Sequence, residues 1–288
     1  MKRFHTIGLT AGVALCILCA TFLGGCVGGD AGDATPVPTA AARLSVTGST
    51  TVLPIAEKAA EAFMDANPAA DIQVSGGGSS VGVQAVGEGT ADIGMSSRDL
   101  KDAEKEKYPG LVQHVVARDG IAMIVNPGNT VESLTVEQVR RIYTGEITNW
   151  NEVGGSDAEI VVVGRDSASG TRGSFEELVM DKQECVATML EKNSNGAVQQ
   201  TITGTPGAIG YVGLGYVDGT VKGVSIDVDG TLVDPTVGNV IAGTYPISRD
   251  LMMFTDGEAT GIAASFITFI RSEEGRRIVA DEGFVPLA

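Results

Sequence analysis

The sequence predicts an α/β protein built on largely parallel sheets, and three observations lead there. Apolar, strand-like runs alternate with segments of helical periodicity from residue 44 to the end of the chain. Four of the strand-like runs end in turns rich in Gly, Ser or Thr, at residues 48–51, 76–80, 96–98 and 165–172. In open α/β sheets ligands sit beyond the carboxyl ends of strands, so four such turns are expected to converge on one site. Residues 44–288 are also enough chain to bury a large core, as one big domain or as two lobes.

The front of the chain sets the compartment. Met1-Lys2-Arg3 is a short basic region, residues 7–23 are apolar, and Leu23-Gly24-Gly25-Cys26 closes the run. This is the pattern of a secretory signal, residues 1–25, with a lipobox-like end that makes Cys26 the lipidated first residue of the mature protein. The competing reading, an uncleaved transmembrane anchor, needs about 20 apolar residues, and the run is short for it. Residues 26–43 read as a flexible Gly/Ala/Pro/Thr tether.

Residues 44–47 predict a strand, followed by a helix that turns Ile55, Ala59 and Phe63 with Ala56, Ala60 and Met64 inward. Pro54 suits its first turn and Asn67-Pro68 stops it. Residues 72–74 form the next strand, before the Gly-rich turn and a short helix through Val83 and Val86. Residues 91–95 are a strand and 99–108 a solvated helix. Residues 115–125 are a strand pair or one bent strand that ends at Asn126-Pro127-Gly128. Thr135 with Gln138 makes a capping box, and Val136, Val139, Ile142 and Tyr143 line the helix behind it. Residues 145–150 follow as a loop. After the apolar strand 160–163, Phe175, Leu178 and Val179 mark one helical face, and Cys185 is expected as a buried helix residue. Residues 208–212 are a strand. Asp229-Gly230 centres a hairpin over 225–233 rather than a calcium loop, whose twelfth position would be Gly238 and not Glu. A strand over 245–254 and two helices around Phe266, Phe269, Ile270 and then Ile278, Val279 close the chain.

Residues 165–172, Arg-Asp-Ser-Ala-Ser-Gly-Thr-Arg, carry the clearest chemistry. The first N–H groups of a helix lack intrahelical partners and sit at the positive end of its dipole. Ser169 and Thr171 add hydroxyl donors, Gly170 lets backbone approach, and Arg165 adds full charge. No nucleophile has a base beside it, so the pattern suggests holding an oxyanion rather than transforming one. A plain Ser N-cap on a surface helix would show the same residues; the repetition of hydroxyl-rich turns argues for the site. Arg172 reads as a first-turn surface residue.

Composition excludes other classes. The formal charge is −16, and removing residues 1–25, which hold Lys2 and Arg3 but no acid, takes it to −18. So acidic a chain is a poor partner for nucleic acid or anionic lipid. An anionic small ligand is still accessible, because salt screens surface charge beyond about 8–10 Å and the cleft's own groups decide. Cys16 and Cys19 leave with the signal, so Cys185 is the one cysteine besides Cys26, and no disulfide or Cys-based metal site is expected. There is no G-x-S-x-G, H-E-x-x-H or Walker motif, and His114 between Gln113 and Val115 reads as a strand residue, so an enzyme is not expected.

Eight segments in order, GSTTVLP, GGGSSVG, ADIGMSSRDL, DGIAMIVNP, IYTGEITNWNEVGG, RDSASGTR, GAIGYV and GFVPL, resemble the phosphate-binding proteins of ABC-type uptake systems, within the class II solute-binding proteins. The resemblance covers residues 44–288. It implies a two-lobed periplasmic-binding-protein type II fold, each lobe a mixed, mostly parallel sheet flanked by helices and joined by hinge strands. Lobe 1 is expected at 44–125 with 244–288, and lobe 2 at 126–243. It further implies inorganic phosphate as ligand, a membrane permease as partner, a monomer anchored outside the cytoplasm, and no cofactor or metal. Carried over by motif, Thr50, Thr51, Ser79 and Ser97 face Arg165, Ser169, Gly170 and Thr171 across the ligand, with Ser49 and Ser80 as further candidates. The sequence departs from the family at one place: Arg98 stands where one branch has an Asp that accepts the phosphate proton. Arg98 is either a second ligand arginine or a surface charge. Asp119 is either the substitute acceptor or a salt-bridge partner of Arg98 or Arg118. The alternatives to phosphate are another tetrahedral oxyanion, a hydrolase using Ser169 or Ser79, and an adhesive lipoprotein with no saturable ligand.

Overall fold

The computed structural model describes residues 42–288; the signal-like segment, Cys26 and most of the tether lie outside the described residues. β1 (Ala42–Gly48) leads into α1 (Leu53–Ala66), β2 (Ala70–Gly76) into α2 (Ser79–Gly87), and β3 (Ile93–Ser96) into the short α3 (Asp102–Lys107). The long β4 (Leu111–Val125) is followed by β5 (Ser133–Thr135), α4 (Val136–Thr144), β6 (Val161–Arg165) and α5 (Gly170–Leu178). Next come β7 (Leu190–Lys192), α6 (Asn195–Gly204), β8 (Ala208–Gly213), β9 (Lys222–Gly223), β10 (Ser225–Val228), β11 (Thr231–Val233) and α7 (Val237–Ile241). β12 (Ser248–Asp256), α8 (Gly261–Arg271), α9 (Glu273–Asp281) and β13 (Val285–Pro286) complete the described chain. None of the helices among the described residues is long and apolar enough to cross a membrane.

Local chemistry accounts for the starts and stops. α1 carries Pro54 in its first turn, buries Ile55, Ala56, Ala59, Ala60 and Phe63, and ends at Asn67. The capping box of α4 is formed: the Gln138 amide donates to Thr135 Oγ1 at 3.0 Å and the Thr135 amide to Gln138 Oε1 at 2.8 Å. Asp229 and Gly230 both take positive φ between the antiparallel β10 and β11, as a two-residue hairpin turn requires.

One sheet runs in the order β2-β1-β3-β12-β4-β8-β6-β7, with β9 and β13 also paired to β4. It is mixed. β1 is parallel to β2 and β3, and β6 is parallel to β7 and β8. The centre is antiparallel, because β12 returns between β3 and β4, and β4 meets β8 head to tail. β4 serves two neighbours in turn: residues 111–120 pair with β12 and residues 121–125 with β8.

The same strand joins two hydrophobic clusters. One contains Leu44, Ile55, Phe63, Ile93, Ala117, Leu251 and Phe266; the other contains residues 121–125, Tyr143, Trp150, Phe175, Tyr211 and Tyr245. Phe175 stacks on Tyr211 with centroids 4.1 Å apart, which clamps α5 to β8. Each fully buried large apolar side chain contributes about 1.5–3 kcal/mol by leaving water.

Two expectations are corrected. Cys185 is half-buried in the connection from α5 to β7 and not in a helix, because α5 stops at Leu178 and Asp181 and Lys182 turn the chain with positive φ. Leu178 is 39% exposed, so the inward face of α5 is carried by Phe175 and Val179.

Candidate functional site

The hydroxyl-rich turns do converge. β1, β2 and β3 are parallel neighbours, so the segments after their carboxyl ends, carrying Ser49 to Thr51, Ser79 and Ser97, emerge on the same side. β6 delivers Arg165 at its last residue, and Ser169 caps α5 by accepting from the Arg172 amide at 3.1 Å. Thr51 Oγ1 lies 3.0 Å from Thr171 Oγ1, and Arg165 Nη2 donates to Thr50 Oγ1 at 3.2 Å. Ser79 Oγ accepts from the Ser97 amide at 3.1 Å, and the two serine hydroxyls are 3.5 Å apart. A Cβ at Gly170 would overlap the Ser79 hydroxyl and come within 2.6 Å of Ser97 Oγ, so glycine is what lets the start of α5 come this close. All these hydroxyl residues are buried. Bonds that tie the two sides together include Ser174 Oγ to the Ser97 carbonyl at 3.1 Å and the Ser80 amide to the Ala168 carbonyl at 3.0 Å.

Arg165 dominates the electrostatics. It is 1% exposed, and its hydrogen bonds go only to neutral oxygens: Lys192 O at 3.1 Å, and Asn193 O and Thr50 Oγ1 at 3.2 Å. Its Nη1 is buried with no hydrogen-bond partner. Burial without a bonded carboxylate pushes the guanidinium down to about 10. A buried cation in this state is strongly under-compensated, and an anion beside Nη1 would correct it.

The remaining candidates fall elsewhere. Ser49 Oγ accepts from the Thr51 and Val52 amides at 3.2 and 3.4 Å, so it shapes its own turn. The structure does not bring Arg98 into the group. Its Nη1 and Nη2 each reach a Glu104 oxygen at 2.7 Å, and Nη2 also donates to Ser80 Oγ at 2.9 Å, so Ser80 is bonded to Arg98 rather than to the clustered hydroxyls. Only the Arg98 Nε is buried without a partner, and it lies against Gly173. Burial is the largest single influence on Glu104 and opposes its charge, but the Arg98 hydrogen bonds, the Lys101 amide and the charges of Arg98 and Lys101 together outweigh it and hold that carboxyl below its usual range. Arg172 is ion-paired to Glu176 at 2.7 Å and Glu191 at 2.6 Å, away from the hydroxyls. His114 meets Thr255 Oγ1 at 2.8 Å on β4, with none of the candidate serines bonded to it.

Asp119 is a salt-bridge partner, but of neither arginine expected. Arg249 Nη2 lies 2.7 Å from its Oδ2. Burial draws the Asp119 carboxyl up and the Arg249 guanidinium down, each opposed by the other's charge. Arg249 Nη2 also donates to Thr51 Oγ1 at 3.3 Å, which makes Arg249 the second buried arginine among the hydroxyls. Asn195, at the start of α6, is fully buried and donates through Nδ2 to Thr50 Oγ1 at 3.2 Å and Thr51 Oγ1 at 2.9 Å. Sequence reasoning missed both residues. Ser194-Asn195-Gly196 at a helix start was a usable signal for Asn195; Arg249 depends on strand pairing and had none.

A PBP superfamily domain profile matches residues 33–274. The Bacillus subtilis phosphate-binding protein PstS is 39% identical over 86% of this chain and 82% of its own length. The PstS of Borreliella burgdorferi is 34% identical over 84% and 89%. Among solved structures, a Clostridium perfringens protein described as a phosphate ABC transporter substrate-binding protein, with bound phosphate, superposes with a TM-score of 0.81 at 41% identity, covering 86% of this chain and all of that one. An ABC-type phosphate transport receptor from Vibrio cholerae gives 0.70 at 34% identity over 85% of this chain and all of its own. With the mixed sheet, the converging turns and this likeness over most of its length, the chain belongs to the PstS family of phosphate-binding proteins and has the periplasmic-binding-protein type II fold.

Proposed function

We propose that this chain binds inorganic phosphate outside the cytoplasm and delivers it to an ABC-type permease, and is not an enzyme. The observation that carries the reading is the buried Arg165 guanidinium, with no bonded carboxylate, Nη1 unpartnered, and Nη2 on the Thr50 hydroxyl of the converging turns. Charge-assisted hydrogen bonds contribute roughly 1.5–3 kcal/mol each, and micromolar affinity needs about −8 kcal/mol. A handful of donors therefore suffices after the cost of ordering.

The two lobes are read as 44–125 with 244–288, and 126–243. Two hydrophobic clusters support a division in two, with the crossings nearer residues 117–121 and 247–251, since residues 121–125, Tyr245 and Ile247 pack with the second cluster. Because hydroxyls and charge come from both, phosphate favours the arrangement in which all contacts form, and closure follows as a population shift. The lipid anchor at Cys26 and the monomeric state belong to the same proposal, on the N-terminal pattern and the family. The second reading, another tetrahedral oxyanion, is favoured by two observations: Arg98 stands where a related branch has the acceptor Asp, and Asp119 is already engaged by Arg249. Calorimetric titration with phosphate, alone and under excess sulfate, decides. Saturable heat that persists under sulfate is expected; no phosphate heat, with heat from sulfate or molybdate, overturns the assignment.

A further inference from the structure

Asp119 and Arg249 stand opposite each other on the antiparallel β4 and β12, at 0% and 4% side-chain exposure. A carboxylate offers about four acceptor positions, and three of those of Asp119 are in use. Arg249 Nε and Nη2 both donate to Oδ2, at 3.1 and 2.7 Å, and the Leu214 amide donates to Oδ1 at 2.9 Å. Arg249 then has Nη1 on the Ser97 carbonyl at 3.1 Å and Nη2 on Thr51 Oγ1 at 3.3 Å.

The threonines inherit a direction from this. Thr51 Oγ1 accepts from Arg249 Nη2 and from Asn195 Nδ2, which fills both lone pairs of a hydroxyl. Its own proton is therefore the one shared with Thr171 Oγ1, 3.0 Å away. Thr171, having accepted, is left with its proton to give. Thr50 is set the same way, since its Oγ1 accepts from Arg165 Nη2 and Asn195 Nδ2, both at 3.2 Å. Donors already aimed before the anion arrives cost little to reorganise.

Building on the phosphate reading, the geometry points to Arg249, clamped by Asp119, as the positioning residue that makes Thr51 donate to Thr171 and so turns the Thr171 proton toward the anion, while Asp119 takes no proton from it. Arg249 acts through the Thr51 hydroxyl. Orientation of donors does not separate phosphate from sulfate, so losing it weakens both alike.

The test is calorimetry with phosphate and with sulfate on the mature chain and on Thr51→Val, Arg249→Gln, the two combined, and Asp119→Asn, with thermal unfolding to confirm folding. Arg249→Gln is expected to weaken phosphate about tenfold, the scale of one net hydrogen bond to a charged group. In the Thr51→Val background it adds no further loss. Asp119→Asn is expected to leave the phosphate-to-sulfate affinity ratio unchanged. The double variant Arg249→Met with Asp119→Leu avoids stranding a buried charge and is expected to fold and show the same loss. Additive losses in Thr51→Val and Arg249→Gln overturn the relay and put Arg249 directly on the anion. A ratio that shifts toward sulfate in Asp119→Asn overturns it too, making Asp119 the proton acceptor. Absence of phosphate heat in the unaltered chain instead overturns the phosphate reading beneath it.

Discussion

Arg165 and Arg98 are both buried, both close to hydroxyl-rich turns, and both plausible anion ligands from the sequence, yet they end in opposite electrostatic states. Arg98 is 6% exposed and answered by both Glu104 oxygens at 2.7 Å. Arg165 is 1% exposed, answered by neutral oxygens at 3.1–3.2 Å, and keeps a bare Nη1. The contrast teaches that burial of an arginine does not by itself mark an anion site. What marks it is a buried charge whose counter-charge the chain withholds, because such a charge is expensive until an anion supplies the missing partner.

The comparison can be broken most sharply at Arg165. Arg165→Met is expected to lower phosphate affinity by at least about 100-fold, two charge-assisted hydrogen bonds' worth, while the phosphate-free chain melts no lower than before. Calorimetry and thermal unfolding read both halves; retained binding with a depressed melting temperature would reverse the roles given to the two arginines. Next in size is Gly170→Ala, where the added methyl meets the Ser79 and Ser97 hydroxyls. A loss of roughly 10–100-fold in phosphate affinity is expected from overpacking of about 1–3 kcal/mol, and an affinity within threefold of the original would show that the two sides need not approach so closely.

Arg98→Met should do the converse of Arg165→Met. It strands Glu104, whose side chain is 16% exposed, so a stability loss of about 2–3 kcal/mol by chemical denaturation is expected, discounted for partial solvation. Phosphate affinity should stay within about threefold, the scatter of a change with no direct contact; a collapse of binding would return Arg98 to the site. The smallest effect is in pH. The folded-state pKa of Glu104 lies below its ordinary 4.5, so its contribution is fully present above pH 4.5 and is lost as pH falls through the lower folded value. Acid unfolding curves of the unaltered chain should carry this limb, and Arg98→Met should lack it.

Glu104 also shows where sequence reading stops. It lies only six residues from Arg98, but as the third residue of α3 it accepts the Lys101 amide at 2.9 Å, and that cap turns it back onto the guanidinium. The spacing permitted the pair without requiring it. Leu178 and Cys185 were misplaced for a related reason: apolar periodicity continues past Leu178, whereas the helix does not, because positive φ at Asp181 and Lys182 ends it.

The residues themselves determined the strand–turn–helix order, the Thr135–Gln138 cap, the Asp229-Gly230 hairpin and the Ser169-capped helix start in residues 165–172, because each depends on neighbours a few positions apart. Tertiary structure alone decided which arginine is compensated and which carboxylate is spent. Asp119 and Arg249 are 130 residues apart in sequence and meet only through the β4–β12 register, and Asn195 reaches Thr50 and Thr51 only because α6 packs where it does. A charge pair or a shared hydroxyl is settled over about 3 Å, a distance that chain order cannot specify for groups brought together by folding.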